Sequence, residues 1–207
     1  DGDLDLLVGD DTGVLTLLEN TSSGAGGRDV IVVGDGANIV VGGFGNDDIT
    51  TGADADIVLG DNGSVSFTPG TTDPLIARST GVVDGSGGDD TIRVGEGDNF
   101  VIAGVGVDNV TSGSGNDLVL GDNGQVIWTA AGELSQVRTT DPTLGGNDNL
   151  QLGEGDNIAA GGFGVDTIVA GAGTDLIVGD NGGFGFTTDA TTGVAILTSA
   201  QTSDTSA

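Results

Sequence analysis

The sequence predicts an all-β fold of short stacked units, and three observations predict it. A nine-residue pattern recurs in phase through three blocks of four copies. Its eighth position is apolar and its sixth is an acid or an amide. Nothing in the chain sustains helical periodicity, and 42 glycines among 207 residues oppose helix.

Asp1–Thr21 stands apart. Asp1, Asp3 and Asp5 alternate ahead of an apolar run, and the stretch DLLVGDDTG also aligns with DLVLGDNG at the end of a later block. The three blocks follow as Gly24–Leu59, Gly85–Leu120 and Thr143–Val178. The central one divides without gaps into GSGGDDTIR, VGEGDNFVI, AGVGVDNVT and SGSGNDLVL. Sixth positions are Asp29, Asn38, Asp47 and Asp56 in the first block and Asp90, Asn99, Asp108 and Asp117 in the second. In the third they are Asp148, Asn157, Asp166 and Asp175. Glycine before each of these permits positive φ and close backbone approach in a tight turn. The eighth residues, Ile92, Val101, Val110 and Val119 in the central block, are expected to stack as a thin core. Strands of successive coils would stack roughly 4.8 Å from each other.

Each block ends in GDNG, at Gly60–Gly63, Gly121–Gly124 and Gly179–Gly182. An excursion follows whose first arm alternates (SVSFT, QVIWT, GFGFT) and whose second returns after a turn-rich stretch (LIARST, LSQVRTT, VAILTS). These read as β-hairpins. The organisation is therefore an N-terminal piece at 1–23 and three units. They are 24–84 (repeats 24–63), 85–142 (repeats 85–124) and 143–207 (repeats 143–182, then a hairpin and a polar tail). The chain begins at Asp1 in mid-pattern, so a segment of a longer polypeptide is expected, with any targeting signal elsewhere.

Charge narrows the partners. Four arginines face 32 acids, a formal charge of −28. That disfavours polyanionic nucleic acid and anionic membrane surfaces, and it favours cations. No stretch has the length of a membrane span. Such acidity also fits a disordered chain, although the regular supply of Val, Ile and Leu opposes that reading. Without Cys or His, thiolate and zinc sites are not expected. Lys and Tyr are also absent, so no enzyme is expected. Stacked carboxylates repel unless a hard cation with six to eight oxygen ligands lies between them, and calcium suits this better than magnesium. A charged surface holding no metal is the plainer alternative.

The pattern resembles the RTX, or haemolysin-type calcium-binding, nonapeptide GGxGxDxUx, over roughly half the chain. Asp1–Thr21 resembles an FG-GAP or VCBS-type calcium loop. The first resemblance implies a parallel β-roll (a β-solenoid), here in short two-coil blocks each followed by a hairpin excursion, with two nonapeptides per coil. It also implies multiple calcium ions at the sixth positions, Asp29, Asn38, Asp47, Asp56, Asp90, Asn99, Asp108, Asp117, Asp148, Asn157, Asp166 and Asp175. Two features depart from the family pattern. Asn38, Asn99 and Asn157 are each preceded three residues earlier by an acid, Asp35, Glu96 or Glu154, and Asp54 replaces a turn glycine. In the GDNG segments, Asp61, Asp122 and Asp180 either close the metal site beneath them or belong to a plain terminating turn.

Positions seven and nine point outward. Strands two and four present Phe100, Ile102, Leu118 and Leu120, whereas strands one and three present Thr91, Arg93, Asn109 and Thr111. An exposed apolar stripe marks a binding surface. The hairpins are expected to cover it through Val65, Phe67, Val126, Trp128, Phe184 and Phe186, from the same chain or a neighbouring one. Trp128 is expected to pack rather than to stack on a sugar, and Arg78 and Arg138 to pair with turn aspartates.

Function follows as two alternatives. One is a calcium-binding structural segment of a large secreted bacterial surface, adhesin or extracellular matrix or filament protein. Its partners would be neighbouring repeats, copies of itself, or a polysaccharide or other surface ligand. The other is a non-catalytic module of a secreted polysaccharide-modifying enzyme, protease or toxin. Both are extracellular, by export of the type I kind. Ice or mineral binding is disfavoured by the irregular polar face.

Overall fold

The computed structural model describes residues 26–81 and 87–203. The reading of 1–23 lies outside the described residues. Three-residue strands follow each turn, because only positions seven to nine of each nonapeptide are free of glycine and turn polar groups. The first unit supplies β1 (Val30–Val32), β2 (Ile39–Val41), β3 (Asp48–Thr50) and β4 (Ile57–Leu59), then the hairpin β5 (Gly63–Phe67) and β6 (Pro74–Ser79). The second supplies β7 (Thr91–Arg93), β8 (Phe100–Ile102), β9 (Asn109–Thr111) and β10 (Leu118–Leu120), then β11 (Gly124–Trp128) and β12 (Leu134–Thr139). The third supplies β13 (Asn149–Gln151), β14 (Ile158–Ala160), β15 (Thr167–Val169) and β16 (Leu176–Val178), then β17 (Gly182–Thr188) and β18 (Ala195–Thr202).

Among the described residues these form three six-stranded sheets. The first is parallel, in the order β1-β3-β7-β9-β13-β15, and the second is parallel, in the order β2-β4-β8-β10-β14-β16. Together they make a parallel β-roll. Pairing is position for position even across the excursions, with Ile49 opposite Ile92 and Val58 opposite Val101. The coils therefore do not stop at each block. They stack through all three units, and the first two hairpins loop out sideways between β4 and β7 and between β10 and β13, while the third follows β16.

The eighth positions close the space between the two parallel sheets. Val40, Ile49, Val58, Ile92, Val101, Val110, Val119, Leu150 and Ala159 are fully buried there, joined by first-position Val94, Ala103 and Leu152. Burying each Val, Leu or Ile contributes roughly 1.5–3 kcal/mol.

The hairpins join into the third sheet, antiparallel, in the order β5-β6-β11-β12-β17-β18. It lies on the apolar outer face of the second parallel sheet. Leu59, Phe100, Ile102, Leu118, Leu120 and Ala160 pack there against Ala77, Val126, Val137 and Phe184, with Val65, Trp128 and Phe186 partly buried beside them. The Phe100 and Trp128 rings meet edge to face at 5.5 Å. The covering hairpins thus come from the same chain. Phe67 is the looser member, partly exposed beside a groove shared with Ile39, Val41 and Trp128.

Two expectations change. Arg138 bonds the Gln125 side chain directly opposite, at 2.7 and 3.1 Å, and Arg78 reaches the Ser64 hydroxyl at 3.4 Å. Cross-strand neighbours take both guanidinium groups because each stands directly opposite a polar side chain. On the polar face, by contrast, Asp48 pairs with Arg93 at 2.8 Å and Arg28 at 3.5 Å. Asp54 keeps the turn that its glycine-bearing relatives adopt, with φ at 81°, in the left-handed region that Asp tolerates better than most residues.

Candidate metal centres

Turns one coil apart superimpose along the two edges of the roll. The first edge, leading into the first sheet, carries Asp29, Asp47, Asp90, Asp108, Asp148 and Asp166. The second carries Asn38, Asp56, Asn99, Asp117, Asn157 and Asp175. On both edges the sixth residue's Oδ1 accepts the backbone N–H of the sixth residue in the neighbouring coil. On the first edge the donor–acceptor distances run from 2.7 to 2.9 Å, from Asp29 N–H onto Asp47 through to Asp148 N–H onto Asp166. On the second they run from 2.8 to 3.1 Å. The steps from Asp47 to Asp90 and from Asp108 to Asp148 cross an excursion without a break.

The other carboxylate oxygen is the informative one. Oδ2 of Asp90, Asp108, Asp148 and Asp166 is buried and accepts no hydrogen bond, and the same holds for Asp56 and Asp117 on the second edge. A buried charged oxygen without a partner costs several kcal/mol. Burial accordingly pushes the Asp90 carboxyl up to about 8, reinforced by the charges of Asp61 and Asp47. It pushes Asp148 up to about 7, helped by Asp166, and raises Asp108 well above the usual carboxylate range. Asp166, Asp56 and Asp117 are raised less, by burial first. The hydroxyls of Thr51 and Ser112 lie beside Asp56 and Asp117 and oppose the rise, though neither reaches hydrogen-bond geometry.

The GDNG aspartates do more than end a block. Asp61 enters the first edge of the next unit, where its Oδ2 accepts the Val105 N–H at 2.6 Å. Asp122 does the same one unit on, accepting from Gly146 at 3.0 Å and from Phe163. Both are buried, and burial lifts their carboxyls to about 8 and about 9. Asp180 is exposed. Asn123, beside Asp122, is fully buried with neither side-chain group bonded. An Asn-Gly turn gives no sign of that burial.

Sequence reasoning also missed an outer ladder at position five. Asp89, Asp98, Asn116, Asn147 and Asp156 each accept the backbone N–H of the fifth residue one coil on, at 2.7–2.9 Å. A run of short polar residues at that position was the available signal. The acids Asp35, Glu96 and Glu154 also reach the next coil, where they accept from Ala53, Ser114 and Ala172.

These donors suit a hard cation. Among the described residues no three acidic side chains gather around one point, so a bound ion would draw on one or two carboxylates together with turn carbonyls. Calcium accepts such mixed oxygen shells. The unpartnered Oδ2 atoms fit its charge, and a row of such gaps would hold a row of ions.

Comparison with known proteins agrees with this geometry. The family described as the RTX calcium-binding nonapeptide repeat (4 copies) matches residues 23–58, 84–119 and 143–177, more than half of the chain. No curated protein and no solved structure matches it.

Proposed function

The chain belongs to the RTX calcium-binding nonapeptide repeat family, and from that premise we propose that it is a calcium-locked structural segment of a large secreted bacterial surface, adhesin or matrix protein. Repeats of this family bind calcium and are typical of extracellular proteins. One observation carries the structural reading: the row of buried, unpartnered Oδ2 atoms at Asp90, Asp108, Asp148 and Asp166. Their ionised form is tolerable only with a countercharge, so calcium and folding are linked. Asp61 and Asp122 add a carboxylate at each junction between units.

The architecture supports a scaffold rather than a catalyst. The apolar face is covered from within the chain, and the polar face carries ion pairs and amides. Both parallel sheets end in strands whose outer edges are unpaired among the described residues. Val30, Val32, Val169 and Ile177 are exposed there. Such edges favour continuation by further strands, from neighbouring repeats or from a second copy.

A far-UV circular dichroism titration tests the reading. Strand signal should appear on adding calcium and vanish with chelator. Full strand content in excess chelator at neutral pH would sink it. Sedimentation at rising protein concentration in calcium tests the end-to-end contact. A monomer at every concentration would remove self-association and leave the calcium lock standing.

A further inference from the structure

The two edges of the roll are chemically different. On the first, every gap between successive turns lies between two aspartates. On the second, every gap lies between an aspartate and an asparagine. The amide nitrogen of Asn99 donates to the Gly95 and Gly97 carbonyls of its own turn, at 3.1 and 3.0 Å, and to Asp117 Oδ1 across the gap at 3.1 Å. Asn157 repeats this with Gly153, Gly155 and Asp175 at 3.2, 3.1 and 3.0 Å. Asn38 repeats it with Gly34, Gly36 and Asp56 at 3.0, 2.6 and 3.0 Å. The amide orientation is fixed by its other end. Oδ1 of Asn99 accepts the Asp56 N–H at 3.1 Å, and Oδ1 of Asn157 accepts the Asp117 N–H at 3.0 Å. A backbone donor must face an oxygen, so the nitrogen faces the turn carbonyls.

That nitrogen holds two turn carbonyls and one carboxylate oxygen at once, which is the work of a small cation centred in the turn. Oδ2 of Asp56 and Asp117 on this edge is also buried and accepts no hydrogen bond, but the Thr51 and Ser112 hydroxyls lie beside it. On the first edge the corresponding first positions are Gly42, Ala103, Thr143 and Gly161. No amide plugs those turns, and Oδ2 of Asp90, Asp108 and Asp148, likewise buried and unpartnered, has no side-chain hydroxyl acting on it.

We propose that calcium is taken up along the all-aspartate edge, while the amides of Asn38, Asn99 and Asn157 stand in for it along the other. This rests on the calcium reading above and narrows it. One edge is supplied with neutral groups encoded in the chain, an amide in three of its turns and a hydroxyl beside Asp56 and Asp117, and the other carries an aspartate in every turn. The departures from the repeat pattern at those three positions are then the device that separates the edges.

The test counts calcium per chain, by elemental analysis of full-length protein desalted from saturating calcium. Three variants are compared with the parent. Asp90→Asn with Asp108→Asn and Asp148→Asn keeps the Oδ1 acceptors of the first edge and should lose at least half of the bound calcium. Asp56→Asn with Asp117→Asn and Asp175→Asn should keep all of it. Asn38→Asp with Asn99→Asp and Asn157→Asp removes the amide donors and should gain ions. Circular dichroism in calcium checks the fold of each. If the first-edge variant does not fold, the second-edge variant still decides. Calcium lost from the second-edge variant, or equal losses from both, overturns the proposal. A parent that binds no calcium would instead refute the calcium reading on which it stands.

Discussion

Removing calcium should unfold the roll at neutral pH, and acid should refold it without metal. The perturbation acts on Asp61, Asp90, Asp122 and Asp148, whose carboxyls burial lifts from 3.8 to about 8, 8, 9 and 7. A carboxyl whose folded pKa exceeds its unfolded value binds more protons in the folded state. Its contribution to stability is complete below the unfolded value and is lost as pH rises towards the folded one. Between about pH 4 and pH 7 one such group forfeits roughly three units at about 1.4 kcal/mol each, so about 4 kcal/mol. Two of the four already reach about 8 kcal/mol, which is comparable with the whole stability of a typical domain, about 5–15 kcal/mol. Calcium supplies at neutral pH the countercharge that protons supply in acid. Metal-free protein from a chelating resin, followed by far-UV circular dichroism from pH 8 down to about pH 5, should gain strand signal as the pH falls. With saturating calcium the signal should be full at pH 7. A metal-free protein that is folded at pH 7 and indifferent to acid, or that gains structure as pH rises, would refute the linkage.

Three substitutions probe the packing. Trp128→Ala removes the edge-to-face partner of Phe100 between sheet and hairpins. It should cost about 2–4 kcal/mol in denaturant titrations run in calcium, leaving the number of bound ions unchanged. A loss below about 0.5 kcal/mol would mean that the hairpin sheet is not part of the core. Gly146→Ala would drive a Cβ into the Gly106 carbonyl of the neighbouring coil; a loss of about 1–3 kcal/mol is expected, against no measurable change for Gly179→Ala, where a Cβ meets open space. Asp122→Ala strips the acceptor from the Gly146 and Phe163 N–H groups. Each buried donor left bare costs about 1–3 kcal/mol, so earlier proteolysis at the junction of the second and third units is the readout. Unchanged cleavage would dismiss the staple.

Much of this was legible from period alone. A residue that is apolar at every eighth position must face inward, and Ile92, Val101, Val110 and Val119 are all fully buried. The apolar seventh and ninth positions of alternate strands foretold a cover, and the hairpin residues provide it. Stacking across units was not legible. Within a block, turns repeat every 18 residues, but Asp47 meets Asp90 after 43 and Asp108 meets Asp148 after 40. An excursion of variable length erases the sequence period while the ladder keeps the spatial one. Nor could the sequence say which end of the Asn99 amide faces its turn. That depends on where the Asp56 N–H points, and so on a neighbour 43 residues away.

The position of GDNG explains why the excursions interrupt the roll where they do. Asp61 follows β4 by two residues and is the last group before the chain leaves the roll, yet it bonds the Val105 N–H in a turn of the unit still to come. Asp122 bonds Gly146 and Phe163 in the same way. Each of the first two units therefore hands a buried acceptor forward to its successor, while the hairpin after it pairs laterally, β6 with β11 and β12 with β17. A unit that folds alone leaves that acceptor buried against nothing and its hairpin edge unpaired. Both deficits are relieved by the next unit in the chain. Cooperativity should thus run along the roll through two independent seams, one made of carboxylates on the first edge and one made of hairpin backbone in the third sheet. Calcium should act directly on only the first.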